Sequence, residues 1–322
     1  MIALLVVSAL IAFPEDKPPT PEERAIAYLS REVPRWSPKN KCYSCHNNGD
    51  AARALYMAKR QKLEVPSKAL DDTSRWLARP ADWAHNGGEG PFNDKVLSRI
   101  QFAASLVDAL DTGLVKDRQA LVSAAKLVAE DQTKDGYWQI GAEGALGSPA
   151  TLGNPLATVM ARRTLHRADP KGHRERIAAA DGWLRRVPVK TVLDAAAIVL
   201  GLDDAKDSDA RVQRKRCLSL IHRGESKDGG WGPYTTSPSE PFDTAVVVLA
   251  LAGLSDSAEF RDMLKRGRLY LLSTQQADGS WKETTRPSGG ESYAQHVSTT
   301  GWALQALLAT VERKGSAPGN SP

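Results

Sequence analysis

Cysteine is scarce in this chain, with three in 322 residues, and histidine is little commoner, with six. Three thiols cannot build a disulfide framework, and a domain of this length needs none, since it buries roughly three quarters of its unfolded surface. A tetrahedral zinc centre is disfavoured by the same scarcity. No second Cys-x-x-Cys or histidine pair stands near Cys42 and Cys45, and adjacent Cys45 and His46 are poorly placed to share one ion. A strong charge bias is also missing, because 43 basic and 38 acidic residues leave a net charge of +5. The basic residues are scattered, as at Arg211, Arg214, Lys215 and Arg216, and no nucleic-acid motif accompanies them. Nucleic acid is therefore not an expected partner.

Long apolar runs are lacking too. The run Met1–Ala12 is too short to cross a bilayer. Ala9 and Ala12 suit a cleavage site ahead of Phe13-Pro14-Glu15-Asp16, so residues 1–13 read as a secretory signal peptide, although no Lys or Arg precedes the run. The other reading is a helix retained in the fold. A signal peptide implies export to a periplasmic or extracytoplasmic compartment, with no transmembrane span after its removal. Residues 315–322 are rich in Gly, Ser, Pro and Asn and read as a disordered tail, which leaves 14–314 as one domain.

Two of the three cysteines stand together in Cys42-Tyr43-Ser44-Cys45-His46. Cys-x-x-Cys-His is the spacing of a c-type haem attachment site. Two thiols so spaced can form thioethers to the vinyl groups of one porphyrin, and His46 can then serve as proximal iron ligand. A disulfide or redox thiol pair is the competing reading. A redox pair belongs at a helix start within a βαβ pattern, and no such pattern is present. The expected cofactor is one covalent haem c on Cys42, Cys45 and His46. For the sixth position the candidates are His85, in the next turn, and less readily Met57 or His296, or no ligand at all. Trp36 could pack on a porphyrin, though repeat-core packing is its more ordinary role.

A period runs through the rest of the chain. Pairs at Tyr28-Leu29, Trp76-Leu77, Leu127-Val128, Trp183-Leu184, Leu220-Ile221 and Tyr270-Leu271 close segments of helical periodicity. Tryptophan-bearing turns follow most of them, three with Asp-Gly: Asp135-Gly136, Asp228-Gly229 and Asp278-Gly279. A second, more apolar helix comes after each turn, near 50–62, 93–111, 154–168, 189–203, 243–254 and 297–313. Thr244–Leu251 is apolar all round and should be buried on every side. The first helices carry more charge and should form an outer layer. Six such hairpins close most simply as a ring, so the expected fold is all-α, an (α/α)6 toroid. Its outer-to-inner turns, Cys42–His46 included, should all open on one face.

The stretch Arg266-Gly267-x-x-Tyr270-Leu271-x-x-x-Gln275-x-x-x-Gly279-x-Trp281 resembles the QW repeat of squalene–hopene cyclases and related terpenoid cyclases, and Gln132–Trp138 repeats its second half. This likeness is specific over residues 116–312 and rests on register alone over 22–115. It implies the α/α toroid shared with protein prenyltransferases. It also implies a site: these cyclases donate a proton from an Asp-x-Asp-Asp-Thr-Ala motif, matched here by Glu240-Pro241-Phe242-Asp243-Thr244-Ala245. Phe242 stands at the proton-donating position, so cyclisation by that route is not expected. Glu240 and Asp243 remain as remnants of the motif, and Asp243 has an ordinary role as N-cap or first-turn acid of its helix. His296 matches a zinc-binding histidine of prenyltransferases, but no cysteine follows Asp243 to complete that site.

Three functions follow as expectations. The first is an exported haem protein on a cyclase-like toroid, passing electrons to a redox partner protein or sensing redox state. The second is a divergent cyclase- or prenyltransferase-like enzyme, or a binder of an apolar, isoprenoid-like ligand. The third is a non-catalytic interaction scaffold. A cavity lined by aromatics with a buried acid favours the second, and a core filled with Val and Leu favours the third.

Overall fold

A computed structural model describes residues 18–87, 94–142, 144–254, 257–286 and 290–311. The expected signal peptide and tail lie outside the described residues. The described chain holds twelve α-helices and no strand. In order these are α1 (Pro21–Asn40), α2 (Ala52–Arg60), α3 (Asp71–Leu77), α4 (Lys95–Asp111), α5 (Arg118–Glu130), α6 (Asn154–Ala168), α7 (Arg174–Arg186), α8 (Val192–Gly201), α9 (Ser208–Gly224), α10 (Pro241–Ala252), α11 (Ala258–Thr274) and α12 (Tyr293–Ala309). Even-numbered helices form the inner ring. Each touches the next, and α12 closes the circle on α2 and the helical turn before it. Among the outer helices, α1, α5, α7 and α11 each lie over the groove between two inner ones. The expected toroid is the observed fold.

Local sequence explains why the helices start where they do. Thr20 opens α1 with a capping box, its hydroxyl accepting from Glu23 N–H while Glu23 reaches back to Thr20 N–H. Asp94, Asp117, Thr191, Asp207 and Ser292 cap α4, α5, α8, α9 and α12, each side chain accepting one first-turn N–H. Pro241 opens α10, where its missing N–H costs nothing. The valine run of α10 is helical, and Val246, Val247 and Val248 are fully buried. Burying three such side chains stabilises the ring by roughly 1.5–3 kcal/mol each.

The repeat works as a staple. The second residue of every pair, Leu29, Leu77, Val128, Leu184, Ile221 and Leu271, has no exposed surface. Three turn tryptophans, also fully buried, donate their indole N–H to the carbonyl ten residues earlier: Trp138 to Val128 at 2.7 Å, Trp231 to Ile221 and Trp281 to Leu271, both at 2.8 Å. Their backbone N–H groups donate to Thr158, Thr244 and Thr300 on the following inner helix. One residue thus ties the end of an outer helix to the start of its inner partner.

The glycine of each Asp-Gly turn then meets the next outer helix. Gly279 has φ +93°, and a Cβ there would lie 2.3 Å from the Arg24 carbonyl of α1. Only glycine gives both that backbone angle and that approach. Gln275 seals the seam, donating to Gly279 O at 3.0 Å and to Pro21 O at 2.8 Å. The Arg268–Glu22 ion pair lies beside it.

Candidate functional site

The outer-to-inner turns meet at one face, which we call the mouth. Asn86 of the second turn exchanges two 2.8 Å hydrogen bonds with the Tyr43 backbone in the first. Tyr293 of the sixth receives Asn47 Nδ2–H at 2.8 Å and donates to Glu32 at 2.8 Å. Pro233 O of the fifth accepts from Val192 N of the fourth. Arg286 of the sixth reaches Glu240 and Asp243 of the fifth hairpin and, from its other amino group, Gly147 O of the third.

Cys42-Tyr43-Ser44-Cys45-His46 lies at this mouth. α1 runs through Pro34 and Pro38 and stops at Lys41, whose φ of 58° is left-handed and turns the chain. Inner-layer winding begins earlier than the sequence suggests. Cys45–Ala51 forms a π-helical turn leading straight into α2, a wide geometry often found at functional positions. Cys45 and His46 therefore belong to the first turn of the inner layer, and only Cys42–Ser44 lie in the loop. Ser44 caps that turn, its hydroxyl accepting from His46 N–H and Asn47 N–H.

Both thiols are free and half-buried. Cys42 Sγ accepts the Trp36 indole N–H at 3.4 Å, and Trp36 stacks on Tyr293. The Cys45 thiol is pushed up to about 12, by burial first and then by the charge of Asp50. His46 is half-buried, and burial holds its ring down to about 4, so it is neutral at pH 7. Its Nδ1 lies 3.1 Å from Ser298 Oγ, and Ser298 donates to Asp50 Oδ2 at 3.0 Å. With its hydroxyl proton on Asp50, Ser298 offers His46 a lone pair. The proton of the imidazole accordingly sits on Nδ1 and the lone pair on Nε2.

Asp50 is a site residue that sequence reasoning missed. It has no exposed surface, Gln101 donates to it at 2.6 Å, and burial raises it to about 6 despite nearby Arg53 and the bonds from Ser298 and Gln101. The Trp302 indole N–H lies beside it and favours its charge without reaching hydrogen-bond geometry. The only sequence signal was an aspartate in the first apolar turn of an inner helix, the register that Asp243 occupies in α10.

Asp243 is also fully buried. It does not cap α10: Glu240 stands at the N-cap position, without a side-chain cap bond, and Asp243 pairs with Arg286. Glu240 lies 2.7 Å from the same guanidinium. One positive charge thus faces two carboxylates, and burial, despite Arg286 and with Glu240 adding to it, lifts Asp243 to about 8. Oδ1 of Asp243 has no partner among the described residues. A groove of about 480 Å³ borders Glu240 and Arg286, walled by Leu146, Pro233, Tyr234 and Thr285. Phe242 is fully buried and meets the Trp302 ring edge-on at 5.9 Å, an apolar packing role.

The other candidates fall as follows. His85 is exposed at the end of a short 3₁₀ segment, Pro80–His85, two residues from Gly87, which passes close to Cys42. Met57 instead lines a cavity on the ring axis, away from the thiols. His296 Nδ1 lies 3.1 Å from Glu283 Oε2 and its ring contacts Tyr28, so local packing and one hydrogen bond account for it. Cys217 is buried, and burial pushes its thiol up to about 12. Among the described residues, no group of three or more His, Cys, Asp or Glu is gathered to hold a metal ion, and no helix is long and apolar enough to cross a membrane. The site residues fall into two clusters at one mouth, Cys42–Cys45–His46–Ser298–Asp50 and Glu240–Asp243–Arg286.

No family model matches the chain. It is 26% identical over 192 residues to a drimenyl diphosphate synthase of Streptantibioticus cattleyicolor, covering 55% of this chain and 35% of that protein. It is 27% identical over 110 residues to lanosterol synthase erg7A of Aspergillus fumigatus, covering 33% of this chain and 14% of that one. The chain thus spans about a third or less of the length of these curated relatives. Among solved structures it is similar to a type II terpene cyclase from Scytonema in complex with its substrate geranylgeranyl dihydroxybenzoate. That match has a TM-score of 0.61 and 13% identity, over 90% of this chain and 96% of that one. A possible member of the GH105 family from Salmonella enterica aligns with a TM-score of 0.51 and 10% identity, over 94% and 98% of the two chains. By its helices, its ring closure and these likenesses, the chain has the terpene cyclase-like α/α toroid fold.

Proposed function

We propose that this protein carries one covalent haem c at the mouth of a terpene cyclase-like toroid and serves electron transfer or redox sensing outside the cytoplasm. The observation that supports the reading most is the state of His46. Its Nδ1 is committed to Ser298, and through it to Asp50, so the donor left for iron is Nε2. A hydrogen-bonded outer nitrogen is the usual way a protein orients a metal-ligating imidazole. The donor set fits the group: two free thiols at the required spacing and a neutral imidazole. Cys42 and Cys45 would hold the porphyrin and His46 the iron, with exposed His85 as candidate for the sixth position. Haem, when bound, would supply a one-electron centre. Trp36 shields the Cys42 sulfur, Ser44 fixes the backbone on which Cys45 and His46 stand, and Ser298 with Asp50 sets the imidazole tautomer.

The test is expression with a c-type haem attachment system. The expected result is a mass increase of one haem that survives denaturation, with a reduced α-band at the c-type position, both lost in the Cys42→Ser, Cys45→Ser double variant. His46→Ala should keep thioether attachment and lose the normal spectrum. Protein of unmodified mass would sink the proposal.

A second reading is favoured by Asp243 and by the fold. The same mouth holds a buried, proton-retaining acid next to a groove, on a scaffold similar to enzymes that act on isoprenoid chains. On this reading the protein is a divergent binder of an apolar, isoprenoid-like ligand. Proton donation at the family's position is blocked by Phe242, so Phe242→Asp alone should yield no cyclised product from a polyprenyl substrate, as gas chromatography would show. An interaction scaffold is less supported. The core beside α10 is filled by Val, but a cavity remains on the axis, with Trp302 the one aromatic residue on its lining among the described residues.

A further inference from the structure

A cavity of about 360 Å³ lies on the ring axis, walled by all six inner helices, mostly by their later turns but also by Arg53 and Leu156 near the starts of α2 and α6. Its volume is at the small end of the range for ligand sites, about 300–1,000 Å³. Arg53 and Trp302 separate it from Asp50 of the mouth cluster, and the thiols and Asp243 do not line it. The deep wall is apolar, with Met57, Leu156, Val159, Met160, Leu200 and Leu249. Two methionines suit a flexible chain, because the thioether is soft and turns freely. Trp302 forms part of the floor, with Arg53 5.4 Å above its ring.

The rim is charged, and its charges do not balance. Asp108 receives Arg53 at 3.0 Å and Arg163 at 3.1 Å. Asp111 receives Arg60 at 3.3 Å and also Arg167. Four guanidiniums therefore share two carboxylates. Burial opposes the charge of Asp108, but Arg53 and Arg163 together hold it below the ordinary carboxylate range, so it is fully ionised. Asp203 is the remaining acid on the lining, and burial raises it above the ordinary value. At neutral pH the lip carries an excess of about one positive charge. Arg60 and Arg163 have 42% and 45% of their side-chain surface exposed, so both can turn a guanidinium toward a ligand. A cationic amphiphile would add to the excess, and a neutral one would leave it unmet.

We propose that this cavity binds a medium-chain carboxylate, its alkyl tail against the methionine- and leucine-lined wall and its carboxylate on Arg163 and Arg60. A guanidinium offers a carboxylate two parallel hydrogen bonds, which fixes the head while the tail packs without direction. At about 30 Å³ for each water-sized group, the space holds on the order of ten carbons. The proposal is independent of the thiols and of Asp243.

Isothermal titration calorimetry of the full chain with decanoate, decanol and decyltrimethylammonium tests it. Decanoate should bind at least tenfold more tightly than either of the others. Arg163→Gln leaves Arg53 on Asp108 and should weaken decanoate about tenfold, with the neutral alcohol unchanged. Leu249→Trp fills the wall and should abolish binding of all three, with an unchanged far-ultraviolet spectrum as the check on folding. Equal binding of the three probes, no decanoate binding at millimolar concentration, or undiminished binding to a folded Leu249→Trp protein overturns the proposal.

Discussion

Asp243 gives the stability of this protein a pH dependence that can be worked from the structure. Its carboxyl is fully buried, shares one guanidinium with Glu240, and keeps its proton up to about 8. An aspartate in an unfolded chain loses its proton near 3.9, roughly the value in peptides. Between those values the folded state holds a proton that the unfolded state has lost, so stability falls as pH rises, by up to about 1.4 kcal/mol per unit. Other buried groups act on the acid side, among them Asp50 and His46. Asp50, raised to about 6, pulls in the same direction, and its share is used up roughly one unit above that pH. His46, lowered to about 4, pulls the other way, because the unfolded imidazole binds its proton first, near pH 6.5. From pH 6.5 to 8 Asp243 gives the largest share of the slope, His46 offsets a little of it near 6.5, and the net loss should be about 1–2 kcal/mol.

Asp243→Asn removes the titration and keeps an acceptor for Arg286. Its stability should be level over that interval, and at pH 7 it should differ from the parent by less than about 1.5 kcal/mol, since an amide replaces a mainly neutral acid. Were Asp243 ionised and paired instead, the same change would break a buried ion pair at a cost of about 3–5 kcal/mol. Urea unfolding followed by tryptophan fluorescence at four pH values decides between them. A parent protein whose stability stays level or rises from pH 6.5 to 8, or an Asn variant with the parent's slope, refutes the reasoning.

Trp231→Phe should cost about 2–4 kcal/mol, because it leaves Ile221 O without its 2.8 Å indole donor and opens space in the core. A loss below 0.5 kcal/mol in urea unfolding, roughly the level of a surface substitution, would show that the staple is decorative. Ser298→Ala removes one of the two donors on Asp50 Oδ2 and the partner of His46 Nδ1 together, and should cost about 1–3 kcal/mol. Its clearest signature is a shift of the His46 ring titration followed by proton NMR, with no shift counting against the relay.

The ring was legible in the sequence because its determinants are local and repeated. Each staple lies within ten residues of its acceptor, as in Trp281 to Leu271, so the period shows along the chain. The motif at Cys42–His46 was equally visible, since all of its donors lie in one short run. What surrounds it was not. Ser298 meets His46 across 252 residues, and Arg286 meets Gly147 across 139. A serine in an inner helix and an arginine in a loop carry no mark of such contacts. The role of Asp243 was half legible: its place in the first turn of α10 was expected, but its partner Arg286 lies 43 residues on. The early start of the inner layer was hidden because the π-helical turn at Cys45–Ala51 has no local sequence signature.

The seam between Gln275 and Pro21 fixes an order of events in time. The first hairpin is braced by the last: α1 is sealed by Gln275 and Arg268, and the Cys42–His46 turn by Tyr293 and Ser298. Contacts so distant along the chain form late, after the loop between them has closed. During synthesis the two thiols emerge well ahead of Tyr293 and Ser298, which lie 246 and 252 residues beyond their partners Asn47 and His46, and until those arrive their turn is not held rigid. Chemistry performed on Cys42 and Cys45 before closure meets a free peptide, and chemistry attempted afterwards meets a braced one.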